Sequence, residues 1–245
     1  KTMSEVQHQH SAPTHAVKRA SPMLRSAKVV CLAGEYVCLV RDVCEDGLLL
    51  SFLHEVPPEP RIILALANGQ TYPIQRIWAG EGQAGYRFAG SMVLEEFLHE
   101  SAPFQVRPVR LAINASARLI DGVASHVAEL RDLSTHGASF QCRAHLSPER
   151  LISVQINGLS QTLAQVVWSK PVTAKSAPDA GSAGSAGSAG SAGSAQGAAT
   201  RLGVQFQLPL SLRDLAAASI RLQPFAPRAV PTQPTGASVA QSSAA

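Results

Sequence analysis

The chain has 245 residues and a formal net charge of +4 at pH 7; apolar residues make up 45% of it and charged residues only 16%. The apolar share is sufficient for a buried core, while the low charged share indicates linkers or tails beside compact domains. The weak positive charge suits an anionic ligand and excludes the extended basic surface of a DNA-binding protein, and the clustered aromatics of RNA-binding domains are absent as well.

Nothing in the sequence predicts a membrane or secretory location. No stretch reaches the ~18 consecutive apolar residues of a membrane span, and the first thirty residues show no signal peptide. The four cysteines form no CxxC pair, which favours reduced thiols. We therefore expect a cytoplasmic protein.

In chain order, residues 1–20 form a polar tail that we expect to be disordered, followed by short alternating segments at about ten-residue spacing. These segments predict twelve strands, at residues 28–32, 35–41, 47–53, 61–67, 71–78, 84–89, 111–119, 125–131, 137–143, 151–156, 161–169 and 202–208. A short helix is predicted after Ser91 and another after Ser211, each with the serine as its N-cap. Residues 223–245 are rich in Pro, Ser, Thr and Ala, and we expect a second disordered tail there. Such strands, separated by turn residues, indicate an antiparallel barrel or sandwich.

An internal repeat organises these elements. Residues 41–47 and 131–137 both begin with Arg-Asp and end in Gly, and each Asp is followed 36 residues later by one of the two tryptophans, Trp78 and Trp168. Each unit then ends in a Gly-x-x-Phe strand, at residues 85–88 and 203–206. The repeat predicts two domains, at residues 21–100 and 101–222. We expect both tryptophans to lie in barrel cores rather than to form stacking platforms.

The second unit carries 28 more residues than the first between its tryptophan and the Gly-x-x-Phe strand. This insert, at about residues 171–200, contains Gly-Ser-Ala repeats, which cannot bury enough apolar surface to become ordered. We expect a flexible loop there.

The segment Asp132-Leu133-Ser134-Thr135-His136-Gly137, with the later Trp-ended and Gly-x-x-Phe strands, resembles the PilZ domain family of bacterial signalling proteins. The resemblance covers roughly residues 21–100 and 101–222. It implies an all-β chain of two tandem six-stranded antiparallel β-barrels, each followed by a short helix. It also implies a non-enzymatic receptor or adaptor for cyclic di-GMP that passes the second-messenger level to an unidentified protein partner.

The family signature is an RxxxR element followed by a [D/N]xSxxG turn. By resemblance, the ligand-binding residues are Arg107, Arg110, Asp132, Ser134 and Gly137. The ligand is a dianion with two guanines, and an Arg fork pairs bidentately with a phosphate or with guanine O6 and N7. The Asp and Ser side chains offer an acceptor and a hydroxyl, while Gly137 permits a positive φ or a close backbone approach.

Two departures from the signature leave an alternative open. Arg107 and Arg110 form RxxR, one residue short of the family element, and in unit one Cys44 replaces the serine of the turn. Arg25 is the unit-one residue that could match the second family arginine. The alternative is a degenerate PilZ-like protein-interaction module that does not bind the nucleotide.

Other chemistry is poorly supported by the residues. Asp132, Ser134 and His136 include the residue types of a catalytic triad, but packed into five residues on one turn they cannot easily adopt its geometry, so we expect no enzyme activity. The three histidines of residues 8–15 lack Cys or carboxylate partners, so we expect neither a metal site nor a cofactor.

Overall fold

A computed structural model describes residues 23–98, 108–172 and 199–225. In these residues twelve strands form two closed antiparallel barrels of six strands each, which confirms the predicted fold class. The first barrel contains β1 (Arg25–Val30), β2 (Glu35–Val43), β3 (Gly47–Ser51), β4 (Arg61–Ala65), β5 (Thr71–Gly80) and β6 (Gln83–Phe88), and is followed by α1 (Leu94–Leu98). The second contains β7 (Arg110–Asp121), β8 (Ala124–Ser134), β9 (Gly137–Cys142), β10 (Leu151–Ile156), β11 (Thr162–Pro171) and β12 (Thr200–Phe206), and is followed by α2 (Leu212–Leu222).

The two barrels share one topology. Around the first barrel the order is β1-β2-β3-β6-β5-β4, and around the second it is β7-β8-β9-β12-β11-β10. Trp78 and Trp168 lie on the equivalent strands β5 and β11, and each pairs with the glycine of the Gly-x-x-Phe strand, Gly85 or Gly203. The predicted duplication is therefore confirmed.

Alternate residues of each strand point into the barrels and form two apolar cores. In the second barrel the fully buried side chains include Leu111, Leu119, Leu130 and Phe140. The first barrel is filled by Val29, Leu50, Leu64, Ile74 and Tyr86, and Phe97 of α1 is buried against this core.

β-Bulges reverse this alternation at equivalent places. The register shifts between Arg76 and Trp78 in β5, and between Val166 and Trp168 in β11. One extra residue turns the next side chain to the opposite face of the sheet.

The prediction that both tryptophans lie in the barrel cores is wrong because of these bulges. Trp78 is 49% exposed and Trp168 is half-buried. Both indoles lie on the outer face, directly over glycines: a Cβ at Gly85 or at Gly203 would collide with the indole nitrogen of the tryptophan. Each tryptophan therefore covers the outside of its barrel.

The two helices begin differently from each other. Ser211 is the N-cap of α2, and its hydroxyl accepts from the Asp214 N–H at 3.0 Å, as predicted. Helix α1 begins at Leu94 rather than directly after Ser91, and its first turn is closed by the Phe97 N–H donating to the Val93 carbonyl. No helix in the described parts of the chain is long and apolar enough to cross a membrane.

Helix α2 and the residues after it join the two barrels. Leu215, Ala216 and Ala218 of α2 are buried in the core cluster of the second barrel, while Ile220 and Phe225 pack against that of the first. The composition predicts a disordered tail from residue 223, whereas Gln223 and Phe225 make defined contacts with β2. The N-terminal tail, residues 226–245 and most of the predicted loop lie outside the described residues.

An aromatic cluster holds this junction. The Phe225 ring lies 4.6 Å from the Tyr36 ring, and the His54 ring lies 5.6 Å from that of Tyr36 and 5.5 Å from that of Phe52, measured between centroids. Burial in this cluster lowers the pKa of His54, although its ring nitrogens lie 2.6 Å from the Glu55 carbonyl oxygen and 3.2 Å from that of Val37. The fold therefore favours neutral His54.

This pKa shift predicts a pH-dependent stability. Since the pKa of His54 is lowered below its ordinary 6.5, the unfolded chain binds the proton more readily than the folded one. Neutral His54 therefore contributes fully to the free energy of unfolding above pH 6.5, and this contribution is lost as the pH falls from 6.5 through the lowered pKa. In urea unfolding followed across this range, His54→Gln should flatten the profile. His145→Gln, at an exposed histidine, is the control and should keep the wild-type slope; a His54→Gln profile parallel to wild type would contradict the assignment.

Candidate functional site

The candidate site is a row of residues across the outer face of the second barrel. Ala112, Asp132, Ser139, Gly203 and Trp168 lie opposite one another in successive strand pairs, from β7 to β11. We call these five residues the Asp132 row. Because each pair belongs to a closed barrel, the backbone fixes the spacing of the side chains before any ligand arrives.

Asp132 lies at the polar end of this row. Its Oδ1 accepts from Arg110 Nη1 at 2.9 Å, and its Oδ2 accepts from the hydroxyl of Ser139. Arg201 Nη2 lies 3.5 Å from the same Oδ2. One carboxylate therefore holds two guanidinium groups, which come from β7 and β12, on one face of the barrel.

The ion pair between Arg110 and Asp132 is accessible to solvent. The Arg110 side chain is 49% exposed and that of Asp132 is 19% exposed. Water screens the half-exposed arginine, so this pair is weaker than one that is buried on both sides. Arg110 can therefore exchange its carboxylate partner for another anion at low cost.

Arg201 is the site residue that the sequence reasoning missed. It lies on β12, beyond the long insert, and comes beside Asp132 only because β12 pairs with β9. Its neighbour across the strand pair is Lys170 of β11. Together with Trp168 these two cations border an open cavity of about 630 Å³.

Ser134 and Gly137 have structural contacts within the turn between β8 and β9. Ser134 is 1% exposed, and its hydroxyl donates to the Gly137 carbonyl at 3.0 Å. Gly137 is not in the left-handed region; a Cβ there would collide with the carbonyl oxygen of Val204. Of the two reasons the sequence offers for this glycine, close backbone approach is therefore the one that applies.

The same turn gives no nucleophile–base pair. The Ser134 hydroxyl donates to a carbonyl, and the His136 ring contacts the Thr135 hydroxyl instead, at 2.8 Å. In the residues that the structure describes, no group of three or more His, Cys, Asp or Glu is placed to hold a metal ion. Arg107 and the histidines of residues 8–15 lie outside those residues.

The first barrel keeps the geometry of the row but changes its chemistry. Asp42 lies opposite Leu49, where the second barrel has Ser139, and Gln83 takes the place of Arg201. The buried Oδ1 atom of Asp42 has no hydrogen-bond partner among the residues that the structure describes. A mostly apolar groove of about 620 Å³ lies beside it, bordered by Ile77 and Trp78.

Arg25 does not match Arg110. Arg25 pairs with Val40 in the first barrel. The equivalent pair in the second barrel is Ala115 with Leu130, so Arg25 corresponds to Ala115. Its guanidinium instead donates to the Phe97 and Leu98 carbonyls, at 2.9 and 3.0 Å, at the end of α1. The arginine therefore lies further along its strand than Arg110 does, and it caps a helix.

The sequence matches one protein family. Residues 105–183 fit the model of the PilZ domain. This match covers strands β7 to β11 of the second barrel, and the first barrel has the same topology as the second. No curated protein matches the chain significantly.

Several solved structures match the chain at low similarity. MrkH of K. pneumonia in its apo state is 10% identical, with 81% of this chain and 85% of that chain covered and a TM-score of 0.32. YcgR from Escherichia coli, solved in complex with c-di-GMP, is 13% identical, with coverages of 81% and 84% and a TM-score of 0.31. The Bacillus subtilis inhibitor of motility MotI/DgrA is 8% identical, with coverages of 82% and 97% and a TM-score of 0.33. At such TM-scores these likenesses carry no argument about function.

The turn geometry predicts that Gly137→Ala destabilises the second barrel. The new methyl group meets a backbone carbonyl, which cannot move without disturbing the pairing of β9 with β12. Overpacking of this kind costs about 1–3 kcal/mol, measurable as a lower free energy of unfolding in urea. Gly90→Ala is the matched control, because a Cβ at Gly90 meets nothing within 4 Å. Equal stabilities of the two variants would refute the steric explanation.

Proposed function

We propose that the chain is a non-enzymatic receptor or adaptor that binds cyclic di-GMP on the Asp132 row and passes the level of this second messenger to a protein partner. We assign it two domains, at residues 21–100 and 101–222, and a place in the cytoplasm. PilZ domains belong to a family of cyclic di-GMP-binding regulators, and residues 105–183 match that family.

The observation that carries the proposal is the position of two guanidinium groups at one carboxylate. Arg110 and Arg201 both reach Asp132 from different strands. Cyclic di-GMP has two phosphates and two guanines, and an arginine fork binds bidentately either to a phosphate or to guanine O6 and N7. The Asp132 carboxylate is a matching acceptor for guanine N–H groups.

Arg201 also offers a physical answer to the shortened RxxR element. The family element places two arginines near the ligand. In this chain Arg107 is one residue closer to Arg110 than the RxxxR spacing requires. Arg201 supplies a second cation from the other side of Asp132, independently of Arg107. We therefore include Arg201 among the ligand-binding residues.

Trp168 supports the same assignment. Its indole lies on the outer face over Gly203. Trp168 is at one end of the Asp132 row, and Ala112 is at the other end. A half-buried aromatic ring offers a face on which a base stacks, and such stacking contributes about 1–3 kcal/mol per base. The row thus combines cations, an acceptor and an aromatic surface on a rigid scaffold.

The alternative function, a protein-interaction module without nucleotide, is favoured by the first barrel. There Leu49 takes the place of Ser139 and the uncharged Gln83 takes the place of Arg201, and the groove beside Trp78 is largely apolar. This composition suits contact with a protein better than binding of a dianion. A chain in which neither barrel binds cyclic di-GMP would have only this function.

Calorimetric titration with cyclic di-GMP tests the proposal. Arg110→Ala should weaken binding about ten- to a hundredfold, since a charge-assisted hydrogen bond contributes roughly 1.5–3 kcal/mol and each 1.4 kcal/mol is tenfold. Arg201→Ala should weaken it to a similar degree. Raising the salt concentration should lower the wild-type affinity modestly, because charged groups are paired on binding.

Arg118→Ala is the matched control for this titration. Arg118 is an exposed arginine of β7, eight residues from Arg110, and lies outside the Asp132 row. Its loss should leave the affinity within about twofold, as for a surface substitution. The receptor function fails if the wild type gives no binding heat at ligand concentrations well above micromolar, and the site assignment fails if Arg118→Ala is as damaging as Arg110→Ala.

A further inference from the structure

The strand that carries Arg110 has one edge that its own barrel does not cover. Within the described residues, β10 pairs with β7 only between Ala117 and Ile120. The first residues of β7 extend beyond that pairing, so their backbone groups on the β10 side need other partners.

Side chains from outside the second barrel supply those partners. The Ala112 N–H donates to Glu35 Oε2 at 2.6 Å, and the Ala112 carbonyl accepts from Gln223 Nε2 at 2.8 Å. The Arg110 carbonyl accepts from Lys28 Nζ at 3.0 Å. We call Lys28, Glu35 and Gln223 the latch.

The members of the latch also hold one another. Lys28 Nζ lies 2.6 Å from Glu35 Oε2, and these side chains are only 24% and 17% exposed. The Glu35 N–H donates to Gln223 Oε1 at 3.2 Å. Partial shielding from water strengthens such contacts relative to an open surface pair.

Tyr36 holds Gln223, the latch residue that follows α2. Burial raises the pKa of Tyr36 to about 12, with smaller contributions from Cys31 and Glu59, so its hydroxyl keeps its proton. That hydroxyl donates to the Gln223 carbonyl at 2.6 Å. The latch is therefore connected to the aromatic cluster of the first barrel.

The latch meets β7 at the residues that form the candidate site. Ala112 lies opposite Asp132 and Arg110 lies opposite Ser134, so the backbone that the first barrel holds is the backbone from which the Arg110 side chain extends. Movement of this segment by about 1 Å would move the guanidinium away from Asp132, and binding geometry is sensitive to shifts of that size.

We propose that Glu35 is a positioning residue for the ligand-binding site of the second barrel, and that the first barrel serves that site by holding the free edge of β7. The inference rests on the proposed function. It gives the first barrel, in which Leu49 takes the place of Ser139, a defined task. Because coupling between two sites is reciprocal, ligand at Arg110 should in turn strengthen the contact between the barrels.

The experiment combines two measurements on the full chain. Amide hydrogen exchange at Ala112, resolved by NMR, reports the latch itself, and calorimetry with cyclic di-GMP reports binding. Glu35→Ala should expose the Ala112 N–H to faster exchange and weaken ligand binding at least about fivefold, the lower end of usual coupling strengths. Glu35→Gln should restore most of both, since its carboxamide oxygen still accepts from Ala112.

A second variant and a control complete the design. Gln223→Ala removes the contact to the Ala112 carbonyl without changing a strand, and should weaken binding in the same direction. Glu81→Gln changes an exposed carboxylate of the same barrel, in the turn between β5 and β6, and should change neither measurement.

The outcomes separate the two ideas. If the wild type binds and Glu35→Ala exposes Ala112 yet binds equally well, the positioning role is wrong and the proposed function stands. If the Ala112 N–H exchanges equally fast in the wild type and in Glu35→Ala, the latch itself is wrong. If the wild type does not bind, the proposed function fails and the positioning role fails with it, while exchange at Ala112 still reports on the contact between the barrels.

Discussion

The candidate site depends on one irregularity of the backbone, a β-bulge in β8, the second strand of the second barrel. Leu130 points into the core, and strict alternation would point Asp132 into the core as well. The register shift between these two residues turns the carboxylate to the outer face instead. A buried, unpaired carboxylate would cost far more than the barrel could offset, so the bulge is a condition for having this residue at all. The first barrel has the same bulge between Val40 and Asp42.

The sequence was sufficient to predict the strands and the duplication of the barrel. It was insufficient to predict which face of the sheet a residue occupies after a change of strand register. Alternation, turn residues and the shared spacing located the strands and the duplication, and the family resemblance brought Arg110 and Asp132 together. The placement of Trp78 and Trp168 was wrong because a bulge leaves no mark in an apolar pattern: Val166-Val167-Trp168 reads as one continuous buried run. Nothing in the composition of that run shows that the face changes after Val166.

The contacts of Arg201, Ser134 and Arg25 could not be predicted from the motif either. Arg201 stands beside Asp132 through the pairing of β12 with β9 across the insert, which no local motif encodes. Ser134 matched the motif but has its hydroxyl directed to the Gly137 carbonyl. Motif matching identifies which residue types occur, whereas the direction of a side chain follows from the turn. The sequence around Arg25 also could not show that the guanidinium of this arginine donates to carbonyls at the end of α1.

The two barrels show how one scaffold can be specialised in two directions by few changes. Ser139, which donates to Asp132 in the second barrel, has Leu49 as its equivalent in the first, and Asp42 Oδ1 is buried without a partner in the described part of the chain. A buried unsatisfied acceptor costs about 1–3 kcal/mol, and more when the group is charged. In the first barrel this unpaired oxygen lies on the outer face. The polar side chains Lys28, in β1, and Glu35, at the start of β2, form hydrogen bonds with backbone groups at the edge of β7. Polar side chains of the first barrel thus contact the strand that carries Arg110, so residues of both barrels surround the candidate site.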